Sequence, residues 1–66
     1  MQVHVNGEVM ERPAGETLAD LLAALGAGRG RVAVLVNDDV VPTAAHATQT
    51  LAANDRLELL TFAGGG

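Results

Sequence analysis

The sequence has no cysteine, no lysine, no tryptophan and no tyrosine, and Phe62 is its one aromatic residue. Without cysteine there is no disulfide, no thiolate nucleophile and no cysteine-held zinc or iron–sulfur site. Any sulfur chemistry in which the chain takes part must therefore use another functional group. Without lysine, the basic residues are Arg12, Arg29, Arg31 and Arg56, so a modifier that builds chains on its own lysine side chains is excluded. Four arginines against eight carboxylates leave a net charge of −4, and no positive field of the kind nucleic acid requires can form. A long apolar run is missing as well. Nothing approaches the roughly 20 residues of a membrane span, and no basic segment leads into an apolar one at the start. The expectation is a cytoplasmic chain with neither a membrane nor a nucleic acid as partner.

What is present suits one small domain. At 66 residues with 48% apolar side chains, such a domain buries roughly 60% of the surface its unfolded chain exposes. With a single aromatic, the core has to be assembled from valine, leucine and alanine. The acidic balance favours a partner with a basic docking surface.

Gln2, Val3, His4 and Val5 alternate with the period of a half-buried strand, Asn6-Gly7 is a strong two-residue hairpin turn, and residues 8–12 return as a second strand. Pro13, Ala14 and Gly15 break the pattern. From Thr17 the period becomes helical: Leu18, Leu21, Leu22 and Leu25 fall at i, i+3, i+4 and i+7 and form one apolar stripe. Thr17 is placed to cap this helix, Glu16 and Asp20 set negative charge at the positive end of its dipole, and Gly26 can end it in a left-handed conformation.

Val32 to Val36 is a nearly continuous β-branched run, expected to be a central or near-central strand covered on both faces. Asn37-Asp38-Asp39 is a turn, Val40-Val41 a short extended piece, and Pro42-Thr43 opens a helical turn through Ala44, Ala45 and His46. Asn54-Asp55 marks another turn before a last strand over residues 57–62. If Leu57 and Leu59 face the helix, then Glu58, Leu60 and Phe62 share the other face and offer two large apolar side chains to solvent. No segment repeats.

The chain ends Phe62-Ala63-Gly64-Gly65-Gly66, glycines directly after a strand. Residues 1–62 form the expected domain and residues 63–66 a flexible glycine tail able to reach about 13 Å. Glycine has no Cβ, so such a tail can thread a narrow channel and leave its terminal carbonyl open to attack. A carboxylate is a poor electrophile. Converted with ATP into an acyl-adenylate it gains a good leaving group, and a sulfur nucleophile can then displace AMP. A glycine-rich end is equally what an inert terminus looks like, and the choice between the two rests on the α+β roll that the order of elements suggests and on the apolar pair Leu60 and Phe62, placed where a partner gripping the tail would touch.

The stretches Met1-Gln2-Val3-His4-Val5-Asn6-Gly7-Glu8, Val34 through Pro42, and Asn54 through Gly66 together resemble the ThiS sulfur carriers of thiamin biosynthesis over essentially the whole chain. The terminal Gly-Gly is specific only to the wider group of ubiquitin-like carriers, whereas the short length and the Asn37-to-Pro42 stretch favour ThiS. The sequence departs from many members in carrying Thr43 and His46 where a basic residue and a tryptophan are common.

The resemblance implies an α+β fold, a ubiquitin-like β-grasp roll in which a mixed sheet, its first and last strands parallel at the centre, carries one main helix. It also implies that a ThiF-like enzyme adenylates Gly66 with magnesium ATP, that a persulfide donor supplies sulfur, and that the Gly66 thiocarboxylate delivers it to a ThiG-like thiazole synthase. Gly64 and Gly65 would line the access channel, and Leu60 and Phe62 would dock. In this reading the chain is a co-substrate rather than an enzyme, and it binds no cofactor itself; ATP and magnesium belong to the activating partner. The alternatives are a MoaD-like small subunit of molybdopterin synthase, from which the absence of a proline before the terminal glycines departs, and a β-grasp interaction module with an inert tail.

Other residues read as structural. His4 and His46 lack further ligands at metal spacing, and Asp38-Asp39 reads as a solvated turn. Gly26, Gly28 and Gly30 follow a helix and precede a strand, the reverse of a phosphate-cradling loop. No Ser/His/Asp or Cys/His set suggests nucleophilic catalysis.

Overall fold

The computed structural model describes residues 1–27 and 31–61. Its elements run β1 (Gln2–Val5), β2 (Glu8–Glu11), α1 (Leu18–Ala24), β3 (Val32–Val36), β4 (Asp39–Val41), a 3-10 turn (Thr43–Ala45) and β5 (Arg56–Thr61). The strands make one mixed sheet of order β2-β1-β5-β3-β4. β1 and β5 are parallel, with His4 beside Arg56 and Val5 beside Leu57, and the other three pairs are antiparallel. The expected β-grasp roll is the fold observed, and its first and last strands do lie side by side.

Turn chemistry sets both hairpins. Val5 pairs with Glu8 and Val36 with Asp39, so each connection is two residues long. Their central residues, Asn6 and Gly7 in one and Asn37 and Asp38 in the other, all have positive φ, the turn geometry whose twist matches that of the flanking strands. Asn and Asp are the residues besides glycine that enter this left-handed region most readily.

Alternation along the strands sends Val3, Val5, Val34, Val36, Val41 and Leu57 to one face, where they meet Leu18, Leu21 and Leu22 of α1 and Leu51 of the following loop. Thr17 caps the helix with a reciprocal pair of bonds: its hydroxyl accepts from the Asp20 amide at 3.2 Å while the Asp20 carboxylate accepts from the Thr17 amide at 3.3 Å. Leu18 and Ala19, whose amides have no partner within the helix, donate to the carbonyls of Gln49 and His46 at 2.8 and 2.9 Å. The loop after the 3-10 turn is thereby stitched to the helix start.

Three sequence expectations need correction. The leucine spacing puts Leu25 on the apolar stripe, but α1 ends at Ala24 and Leu25 is its C-cap, 38% exposed; the helix stops there, the chain turning away at Gly26 with φ 72°, and Leu25 is left at the edge of the core. Among the described residues β3 is covered on one face only: α1 lies over Val34 and Val36, while Ala33 and Leu35 on the other face are half-buried by their neighbours in the sheet. Glu16, expected only to set charge before the helix, has a further partner. It is buried, and Arg12 grips it with two bonds, Nε to Oε2 at 2.8 Å and a terminal nitrogen to Oε1 at 2.6 Å.

That fork holds the β2–α1 connection shut, since the Glu16 carbonyl also accepts from the Leu51 amide at 2.8 Å. The hydrogen bond to Glu16 raises the Arg12 pKa above its ordinary value, with partial burial opposing and the charge of Glu16 adding to it. Because arginine is charged throughout the working range in any case, the pair does not titrate away through Arg12. Removing Arg12 alone leaves a carboxylate buried without a counter-ion, whereas removing both charges does not. Arg12→Met should therefore lower the thermal midpoint more than the double variant Arg12→Met/Glu16→Gln does, as measured by circular dichroism.

Candidate functional site

The face of the sheet turned away from α1 has no layer over it among the described residues. β5 crosses its middle, with Glu58 beside Leu35 and Leu60 beside Ala33 in β3. The expected phase of the last strand is the one found: Leu57 is buried, Leu59 packs against the core, and Glu58 and Leu60 point the other way. Leu60 is 54% exposed, and Val9 on β2 and Val40 on β4 share its face at 56% and 72%. Three large apolar side chains stand in water on one surface, with the Glu58 carboxylate among them. Val9 and Val40 were not singled out from the sequence, although the alternation Glu8-Val9-Met10-Glu11 places Val9 opposite the core-facing Met10.

The charges around this face are solvated. Arg56 meets Asp38 at 3.2 Å with both side chains largely exposed, an arrangement worth little in stability. The remaining sequence expectations for the site, Phe62, Gly64, Gly65 and Gly66, fall outside the described residues. Of the predicted site, then, Leu60 is placed, and β5 is the strand that leads to the rest.

β5 is held along its backbone by two asparagine side chains. At its start, the Asn37 Oδ1 accepts from the Arg56 amide at 2.9 Å and Nδ2 donates to the Asp55 carboxylate at 2.9 Å. Near its end, the Asn6 Oδ1 accepts from the Leu59 amide at 2.8 Å and Nδ2 donates to the Leu59 carbonyl at 3.4 Å.

No other region of the described structure offers a chemical centre. A groove of about 450 Å³ runs beside β4, lined in part by Asp39, Pro42, Gln49 and Asp55, but the Asp55 carboxylate is already taken by the Asn37 side chain and the Ala52 amide. The ring of His46 is buried and its Nε2 lies 3.1 Å from the Val41 carbonyl; to make that bond Nε2 must carry the proton, which makes His46 a tie between the 3-10 turn and β4. Among the described residues no three His, Cys, Asp or Glu side chains are grouped to hold a metal ion, and no helix is long and apolar enough to cross a membrane.

Comparison with known proteins decides what this arrangement belongs to. The ThiS family model matches residues 3–66. The chain belongs to the ThiS family. Its fold superposes on the crystal structure of the thiamine biosynthesis protein ThiS of Geobacter metallireducens with a TM-score of 0.84 and 30% identity, covering all of both chains. A solution structure of a thiamine biosynthesis protein from the same organism gives a TM-score of 0.79 at 30% identity, over all of this chain and 88% of that one. The thiazole synthase of Magnetococcus marinus is 39% identical and that of Paramagnetospirillum magneticum 36%, each over 66 residues. In both cases all of this ThiS-family chain matches 20% of the relative, so it spans about a fifth of the length of the curated relatives it matches.

Within this ThiS-family domain, Leu57 and Leu60 lie on opposite faces of one strand and should respond oppositely to the same substitution. Leu60→Ser should move stability by no more than about 0.5 kcal/mol. Leu57→Ser, which opens a cavity and buries a hydroxyl, should cost about 3 kcal/mol or more. Urea titration of the two variants measures both.

Proposed function

We propose that the chain is a sulfur carrier of thiamin biosynthesis and that its reactive group is the carboxylate of Gly66. In this reading a ThiF-like enzyme uses magnesium ATP to convert that carboxylate into an acyl-adenylate, releasing pyrophosphate. A persulfide sulfur attacks the acyl carbon and AMP leaves. Cleavage of the resulting acyl persulfide by a thiol frees the thiocarboxylate, whose sulfur passes to a ThiG-like thiazole synthase. The chain acts as a co-substrate, and ATP and magnesium stay with the activating enzyme.

The observation that carries the reading is the combination of family and geometry. A ThiS-family domain runs its central strand straight toward a Gly-Gly-Gly end and places exposed Leu60 on the same strand, next to where a partner would take hold of that end. Binding energy from a surface outside the reacting group is what orients the group for reaction. Leu60 and Phe62 supply that surface, and Gly64 and Gly65 thread the access channel.

Two relatives named thiazole synthase contain the matched region as a fifth of their length. This favours a thiazole synthase as sulfur acceptor over a molybdopterin synthase subunit. Tethering a carrier to its acceptor raises the effective concentration of one for the other without new contacts, a reason for the two to occur in one polypeptide.

The test is the intact mass of the protein after incubation with a ThiF-like enzyme, magnesium ATP, a persulfide source and a reducing thiol. The expected result is a gain equal to the exchange of one oxygen for one sulfur, absent in a chain lacking Gly66. An unchanged mass with a ThiF-like enzyme that loads another carrier under the same conditions contradicts the proposal.

A further inference from the structure

β1 and β5 run parallel, but they are not equally long beyond their shared stretch. The ladder from β1 ends with the Asn6 amide donating to the Leu57 carbonyl at 2.9 Å, after which the chain turns through Gly7 into β2. β5 continues to Thr61. On the side of β5 that β1 has vacated, the next backbone groups are those of Leu59, and the Asn6 side chain occupies the place of the missing strand. A carboxamide carries the same donor and acceptor as a peptide unit, and here it meets both the Leu59 amide and the Leu59 carbonyl. The sheet is extended by one residue with a side chain.

The turn itself does not require this residue. Asn6 has φ 50°, a conformation that glycine adopts at least as readily, so the hairpin tolerates either. What asparagine adds over glycine is the pair of bonds to Leu59. Beyond that point Leu60 and Thr61 are paired on one side only, to Ala33 and Val32 of β3. A strand held along one edge can twist about it, and the Asn6 side chain is what holds the other edge at Leu59. The direction in which the chain starts out from the sheet is set at this end of β5, and a misplacement of about 1 Å already slows a reaction severely.

We propose that Asn6 is a positioning residue for the group-transfer chemistry at Gly66. By pinning β5 at Leu59 it fixes the direction in which the chain leaves the sheet, and so the fraction of docked carrier whose carboxylate is presented to the activating site. The inference rests on the sulfur-carrier reading above. It differs from a docking role in its kinetic signature, because Leu60 keeps its pairing to Ala33 of β3 when the Asn6 bonds are lost.

The experiment compares Asn6→Gly, Asn6→Asp and, as a remote destabilised control, Thr17→Ala, which loses the helix cap. Steady-state pyrophosphate release by a ThiF-like enzyme with magnesium ATP is measured as a function of carrier concentration. Asn6→Gly should lower kcat about tenfold with KM within about twofold of the parent. Asn6→Asp keeps the acceptor for the Leu59 amide but sets a carboxylate oxygen toward the Leu59 carbonyl, so it should restore part of the loss, while Thr17→Ala should keep both constants near the parent values despite its lower thermal midpoint. Backbone relaxation of the Thr61 amide is measured in parallel, with the order parameter expected to fall in Asn6→Gly and to recover in part in Asn6→Asp. A parent-like kcat for Asn6→Gly, a loss that Thr17→Ala reproduces, or a Thr61 amide that does not loosen overturns the positioning role. A parent chain that supports no pyrophosphate release, while the same enzyme turns over another carrier, overturns the sulfur-carrier reading and the role of Asn6 in it together.

Discussion

The parallel pairing of β1 with β5 is the constraint on which the rest of the structure depends. Parallel neighbours cannot be joined by a tight turn, and here almost the whole chain lies between them: one hairpin, the helix, a second hairpin and the 3-10 turn. β5 closes this circuit by inserting between β1 and β3. Leu57 is fully buried at the crossing point, against the valines of both neighbours and the leucines of α1. Contacts of such sequence separation form against the full loop-closure entropy of the intervening chain, so β5 has to be held firmly once it arrives. A short core of valine and leucine among the described residues leaves much of that task to hydrogen bonds.

Those bonds come from unusual places. Asn37 at one end and Asn6 at the other clamp β5 from opposite sides with their side chains, and both sit in left-handed turn positions that free them from strand geometry. The helix start is tied to the loop that precedes β5 in a similar way, since the Leu18 and Ala19 amides donate into the 46–49 segment. With its first-turn donors occupied, the helix has no anion-binding end. The Arg12–Glu16 fork secures the remaining corner. Rigid backbone around one strand and an apolar surface beside it is a sensible division of labour for a domain whose proposed chemistry lies at the end of that strand.

The elements were legible in the residues because the local signals are strong and agree. Asn6-Gly7 between alternating segments, the leucine spacing after Thr17, and the phase of Leu57, Leu59 and Leu60 each determine their structure by short-range rules. What was not legible depends on distance in three dimensions. Arg12 and Glu16 have a spacing that reads as a helical pair, yet they face each other across a loop that folds back on itself. Leu25 fits the helical period, but the cap arrives one residue too early for it. The single-layer cover of β3 follows from there being no second α-helix among the described residues, which a run of valines does not announce. The bonds from Asn6 and Asn37 to β5 span 53 and 19 residues, and nothing in a turn motif says where its side chain will be used. The exposed face around Leu60 was half legible, from the phase of one strand; Val9 and Val40 join it only through the register of the neighbours.

The functional account places partner recognition on the outer face of the sheet and reaction at the end of β5, and assigns the helix side to stability alone. Amide chemical shifts of the isotopically labelled chain, recorded during titration with a ThiF-like enzyme, separate these assignments most directly. The account predicts that perturbation and broadening concentrate at Glu58, Leu60, Val40 and the residues after Thr61, with α1 and the 3-10 turn unchanged. Perturbation centred on Ala19, Ala23 and Ala47, with β5 unaffected, would contradict it.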